Sequence, residues 1–328
     1  MNPADLPRTV VRAVRCAVED GELAAGAAVP ERVVVERTRP GGVGEYATPV
    51  AFQVAKSAGC APGEVARVLA RRLGAEPGIE SVEITGAGFL NFALLPLSAP
   101  LVVRDAVVRD VIIRDARGGA AFLPTAVVEA HAGLGPRERV VRESVLRLLR
   151  SQGGDVSVPG PEVVAPVAKR DGDVVARFGE DAARWAMLAV PARETPEFSD
   201  LLLLQGEGSE FFRVRYAHAR SRALLRNAEQ LGFGPAVGDV SDAPELLRLL
   251  ADHPLVLEAA AHHRAPERLT RHLVELADAL LDFQYRVLPQ GDEKPLAAHR
   301  ARLALAEAAG TVLAGGLALL GMDAPTRL

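Results

Sequence analysis

Phe212-Arg213-Val214-Arg215-Tyr216-Ala217-His218-Ala219-Arg220 is the stretch on which the reading of this chain turns. Residues 211–228 hold five arginines and no carboxylate, and their apolar positions recur at helical spacing. At about 100° per residue, Arg215, His218, Arg222 and Arg226 share one stripe about 80° wide. Guanidinium groups in such a row pair with phosphate oxygens and neutralise several charges together. A solvated helix face whose arginine stems lie on neighbouring helices gives the same pattern. Tyr216 lies off the stripe, as a ring for stacking on a base or as a buried ring with a satisfied hydroxyl.

Downstream, Pro266 opens a helix with Leu269, Leu273, Leu276, Leu280 and Phe283 on one face. A last helix over residues 296–320 stops at Gly321, with Pro325 beyond it. Short polar connections between such helices predict an antiparallel bundle over residues 206–328.

Upstream, residues 1–97 read as a small α+β domain. Val10, Val11, Val14 and Val18 predict a helix over 3–20, and Val33-Val34-Val35-Glu36 a strand that Arg39-Pro40-Gly41-Gly42 breaks. Helices over 49–58 and 62–73 follow, the second with Pro at its start. Strands 81–84 and 89–92 then pair across Gly86-Ala87-Gly88, a tight turn that needs no nucleotide to explain it.

Residues 98–205 are harder to place. The recurrence Val-Val-Arg-Asp-Ala, Val-Val-Arg-Asp-Val, Ile-Ile-Arg-Asp-Ala over 98–117 follows Ser98 as a cap and reads as a helix with a solvated Arg/Asp face. Ala126-Val127-Val128-Glu129 reads as a strand and 137–150 as an amphipathic helix. Segments 162–167 and 173–176 flank Arg170-Asp171-Gly172 as hairpin strands, and a helix over 180–189 carries Trp185. The sum is a β-α-β-β-α unit, too short for a complete nucleotide-binding domain.

Composition narrows the function. Formal net charge is −4 and aromatics are 4% of the chain, so neither bulk basic charge nor a many-ringed stacking platform is available, and nucleic acid would have to be held by local patches. Cys16 and Cys60 are the only cysteines, which predicts buried thiols in a reducing compartment and no structural zinc. The amino terminus has no long apolar core, and no apolar run reaches the roughly 18 residues that span a bilayer, so a cytoplasmic location without a membrane is expected.

Tyr216-Ala217-His218-Ala219-Arg220 opening an arginine-rich helix, with a leucine-rich tail ending Leu320-Gly321-Met322-Asp323-Ala324-Pro325, resembles the anticodon-binding domain of arginyl-tRNA synthetases. Gly44-Glu45-Tyr46-Ala47-Thr48-Pro49-Val50-Ala51-Phe52-Gln53-Val54-Ala55-Lys56 and Gly86-Ala87-Gly88-Phe89-Leu90-Asn91-Phe92 resemble the amino-terminal tRNA-binding domain of that family. The likeness spans residues 30–97 and 177–328. It implies an α+β amino-terminal domain, a small α/β remnant of a Rossmann-like catalytic domain and an all-α anticodon-binding bundle. It also implies tRNA, above all tRNA-Arg, as partner, with Arg215, Tyr216, His218, Arg222, Arg226 and Leu328 as contacts. Leu328 stands where Met is common in the family.

The family's ATP chemistry rests on a His-x-Gly-His element and a mobile lysine loop, which stabilise negative charge gathering at the α-phosphate. Aligned on Arg147-Leu148-Leu149-Arg150, the two signature histidines fall on Ala132 and Gly135, with Leu134 in place of glycine, and neither position can donate a side-chain hydrogen bond. His131 sits one position off that register and reads as a loop histidine. Lys169 and Arg170 resemble the lysine loop, or simply a solvated hairpin tip. Only 13 residues separate Asp155 from Lys169, where the family carries most of its catalytic domain. The resemblance thus implies a noncatalytic paralogue with no catalytic residue, no metal and no ATP. A protein-interaction scaffold and a ligase completed by a partner chain are the alternatives.

Overall fold

Leu6, Val10, Val14 and Ala17 have no exposed surface, and their spacing of three and four turns one face of the first helix, α1 (Leu6–Glu19), inward. The structure is a computed structural model that describes residues 1–39, 41–96, 98–114, 121–131, 133–154, 161 and 163–328. Its contacts group the chain into two units, Met1–Leu97 and Ser98–Leu328.

In the first unit, α1, α2 (Val50–Ala58) and α3 (Pro62–Leu73) pack with an antiparallel sheet of order β1-β2-β4-β3, built from β1 (Glu36–Arg37), β2 (Tyr46–Thr48), β3 (Ile79–Thr85) and β4 (Phe89–Leu94). The Gly86–Gly88 turn sets the register that places Val82 opposite Phe92 and Ile84 opposite Leu90. Gly44 has φ +68°, and a Cβ there would lie 2.8 Å from the Phe92 carbonyl oxygen, so only glycine lets β2 enter beside β4. The strand expected over 33–36 is displaced. Val33 and Val35 are buried in extended chain, Thr48 donates its hydroxyl to the Val34 carbonyl at 2.8 Å, and the ladder begins only at Glu36. Cys16 and Cys60 are free thiols, half-buried rather than enclosed as expected.

The second unit carries α4 (Ala99–Arg114), α5 (Thr125–Ala130), α6 (Pro136–Ser151), α7 (Val174–Phe178), α8 (Glu180–Leu188), α9 (Glu210–Gln230), α10 (Pro244–His262), α11 (Glu267–Phe283) and α12 (Ala297–Leu319). α12 is the hub, packing on α9, α4, α11 and α10. By length and composition α12 is apolar enough to cross a membrane, but 78% of its most apolar stretch is buried within the bundle. Gly310 and Gly316 bring its backbone close to its neighbours: a Cβ would fall 2.1 Å from Ser221 Oγ on α9 and 2.6 Å from a Leu273 methyl on α11. Ser221 Oγ also donates to the Ala306 carbonyl at 2.8 Å.

Among its described residues this unit has no strand, which corrects the expected α/β remnant. The Pro124 carbonyl accepts from Val127 and Val128 N–H, so the apolar run read as a strand opens helix α5 instead. Asp173 accepts from Val175 and Ala176 N–H at 3.1 and 3.0 Å, which caps α7 where the second hairpin strand was expected. Lys169–Asp171 is a 3-10 turn. Residues 163–167 form no ladder, and Glu162 lies outside the described residues.

In place of a sheet, one side chain gathers the backbone. Arg137, in the first turn of α6, has no exposed surface and donates to six carbonyls: Ala165 (2.8 Å), Pro191 (3.0 Å), Met187 (3.2 Å), Ala192 (3.3 Å), Val190 (3.4 Å) and Glu194. Burial lowers its pKa while Glu267 and Glu194 oppose that drop, and the guanidinium keeps its charge. A second buried group closes α12. Arg147 and Arg184 share Glu143 at 3.7 and 3.6 Å, and their Nη1 atoms lie 2.9 and 3.0 Å from where a Cβ on Gly321 would sit. Two cations therefore face the negative end of the longest helix. Burial, then the Arg184 charge, pushes the Arg147 pKa down to about 10.

Two stability outcomes are expected. Arg137→Met keeps apolar bulk but strips donors from buried carbonyls, and should lower the unfolding free energy by at least about 3 kcal/mol in urea titrations. His272, enclosed against His253 at 5.2 Å between ring centres, has its pKa lowered from 6.5 to about 4 by burial first and the Arg248 charge second. The unfolded chain takes up that proton first as pH falls. The contribution is therefore intact above pH 6.5 and is lost as pH falls to about 4, by about 3 kcal/mol in total. His272→Leu should flatten the stability profile over that window, measured by urea unfolding at each pH.

Candidate nucleic-acid interface

Ser209 starts α9: its Oγ accepts from Phe212 N–H at 3.2 Å, and Glu210 follows in the first turn. Phe211, Val214, Ala217, Ser221, Leu224 and Ala228 are buried and set the rotation of the helix in the bundle.

That rotation divides the arginines. Arg213 donates to both Asp278 oxygens at 2.8 and 3.3 Å, and Arg220 donates to Gln284 Oε1 at 2.5 Å, so both fasten α9 towards α11. Arg215 is half-buried, its guanidinium 5.1 Å from the centre of the Phe211 ring, and its Nε has no acceptor. Arg222 is exposed and makes no hydrogen bond or ion pair among the described residues. Arg226 donates to the Thr326 carbonyl at 3.4 Å.

His218 departs from its expected role on the phosphate-facing stripe. It is 4% exposed, and its Nδ1–H donates to the Pro325 carbonyl at 2.9 Å. With Arg226, and with Asp323 N–H donating to Asp181 at 3.3 Å, it latches residues 323–328 along the stripe. The available face is therefore Arg215, Arg222 and Arg226, without the histidine.

Tyr216 is 39% exposed and stacks on Phe212, with ring centres 5.5 Å apart and planes 12° from parallel. Leu328 is 59% exposed. Tyr285, which the sequence reading missed, is the most open ring, at 69%. It follows Gln284, the acceptor of Arg220, in a 3-10 turn after α11. The interruption of the leucine period after Phe283 was its one signal in the sequence.

The other sequence-derived positions lie on other elements. Gly135 precedes α6 as its cap, and Lys169 and Arg170 are exposed on the 3-10 turn, Arg170 being 3.9 Å from Asp171. Ala132 lies outside the described residues. Among the described residues no cluster of His, Cys, Asp or Glu is arranged to hold a metal.

His218→Ala should cost about 1 kcal/mol through the lost bond to Pro325. Amide exchange at residues 323–328 should quicken while helix content, read by circular dichroism, stays constant.

Residues 214–328 match the DALR anticodon binding domain, and residues 9–94 match the Arginyl tRNA synthetase N terminal domain. Arginine--tRNA ligase of Frankia alni is 42% identical over 167 residues, which is 48% of this chain and 30% of that protein. The match thus spans less than a third of that relative's length. Among solved structures, Thermus thermophilus arginyl-tRNA synthetase superposes with a TM-score of 0.56 at 15% identity, over 100% of both chains. Arginyl-tRNA synthetase from Plasmodium falciparum gives 0.53 at 10% identity, over 99% of this chain and 98% of that one. At such identities these likenesses concern the fold alone. With both flanking domains matched and the fold in agreement, the chain belongs to the arginyl-tRNA synthetase family.

Proposed function

We propose that this chain binds tRNA, specifically tRNA-Arg, through α9 and the tail latched on it, and that it does so in the cytoplasm without charging the tRNA. The observation that carries the reading is Arg222, solvent-exposed and without a hydrogen bond or ion pair among the described residues, on a face shared with Arg215 and Arg226 inside the segment matched to an anticodon binding domain. A guanidinium left unpaired in that way is free to take a phosphate. Tyr216 and Tyr285 add exposed rings on which unstacked bases can lie.

The noncatalytic part rests on what stands at the ATP signature. Ala132 and Gly135, where the two signature histidines fall, have no side-chain donor for a phosphate, and 13 residues replace the interval that carries most of the family's catalytic domain. No step through ATP or a metal is assigned to this chain.

Filter binding or gel shift with total tRNA and with tRNA-Arg, over a series of salt concentrations, tests the reading. Arg222→Ala and Arg226→Ala should each weaken binding and lower the salt slope by about one unit. Tyr216→Ala should cost about 1 to 3 kcal/mol if a base stacks there. Absence of any saturable shift would favour the scaffold reading, to which the net charge of −4 lends support. Arginine-dependent ATP–pyrophosphate exchange by the purified chain would overturn the noncatalytic reading.

A further inference from the structure

A cleft of about 480 Å³ opens between the start of α8, the 3-10 turn Asp200–Leu203 and the first turns of α9. One side is apolar, with Phe178, Phe212, Leu203 and Leu204. The charged groups of its lining are Glu180, Asp181 and Asp323 against the single cation Arg215. Of its lining residues, Leu203 (52%), Leu204 (50%) and Leu328 (59%) stand half open to solvent. Three large aliphatic side chains gathered around a concave site are more than the scattered apolar exposure of an ordinary surface.

The charges say what kind of group fits. Glu180 is already paired with Arg184 at 3.1 Å, and Arg184 also lies 3.6 Å from Glu143. Arg215 lies on the Phe211 ring, and Asp181 accepts from the backbone N–H of Asp323. Partial burial raises the Asp181 pKa even though Arg215 and Arg184 pull it down. With Glu180 held by Arg184, Asp181 and Asp323 outweigh Arg215 and favour an incoming cation, while the leucines ask for apolar cover.

We propose that this cleft is the docking site for a segment of another protein that carries an arginine or lysine between leucine-like side chains. The cation meets Asp181, and the flanking apolar groups cover Leu203, Leu204 and Leu328. Such a segment combines the two recognition elements of an amphipathic helix laid in a groove, apolar anchors and a complementary charge. Arg215 and Leu328 belong both to this cleft and to the face proposed for tRNA, whereas Arg222 and Arg226 do not line it, so those two report on the tRNA reading alone.

The test uses the full chain and a fluorescein-labelled helical peptide with leucine and arginine at spacings of three and four. A twin peptide has citrulline in place of arginine. Anisotropy should rise saturably with the arginine peptide and fall by about tenfold in affinity for the citrulline twin. Asp181→Asn, which keeps an acceptor for Asp323, and the exposed Leu203→Ser should each weaken the peptide by a similar factor, and Leu203→Ser should leave tRNA binding unchanged. The proposal is overturned if the peptide fails to saturate, or if citrulline or Asp181→Asn makes no difference. It is equally overturned if Leu203→Ser abolishes tRNA binding, or if the wild-type chain self-associates in sedimentation and Leu203→Ser abolishes that association. Loss of tRNA binding in the Arg222 and Arg226 variants reports on the other reading alone.

Discussion

One guanidinium organises the middle of this chain. Backbone carbonyls at 165 and over 187–194 belong to no sheet ladder; those of Pro191 and Ala192 accept from Glu194 and Ala165 N–H, and a buried carbonyl left without a donor is costly. Arg137 supplies donors to six of them from the first turn of α6, so a single cation ties α6, the end of α8 and the irregular run around Ala165 together. The arrangement puts the orientation of α8, and the polar groups at its start, under the control of a residue on a different helix.

On α9, the bundle decides which arginines are structural and which are open. Arg213 and Arg220 point to Asp278 and Gln284 and are consumed in holding α9 to its neighbours, whereas Arg222 is left exposed. The tail completes the division by taking His218 and Arg226 through its carbonyls. Carbonyl acceptors leave the positive charge of Arg226 unneutralised, so the face keeps its attraction for anions even where it is occupied.

Much of this was legible in the sequence where a local rule acts alone. Pro62 opening α3, the leucine period of α11, the Gly-x-Gly turn between β3 and β4, and Ser209 before α9 each carry their own signal. Reading failed where two local rules competed. Val127-Val128 has strand-like composition, but Pro124 in front supplies a helix start; Asp171-Gly172 suggests a hairpin, but Asp173 next to it caps a helix. It failed again where the partner is remote in sequence. Nothing near Arg137 marks it as enclosed, nothing near His218 announces Pro325, and Tyr285 owes its exposure to the way the chain leaves α11.

The contact between Gly310 and Ser221 has a bearing on how such a surface can change over time. With α-carbon and hydroxyl pressed together and Ser221 hydrogen-bonded to Ala306, α9 has no room to roll about its own axis. The compass direction of every outward side chain on it is set from within α12. New preferences can be acquired there only by exchanging one side chain for another at a fixed bearing, so each outward position on α9 is free to vary without disturbing the aim of the rest.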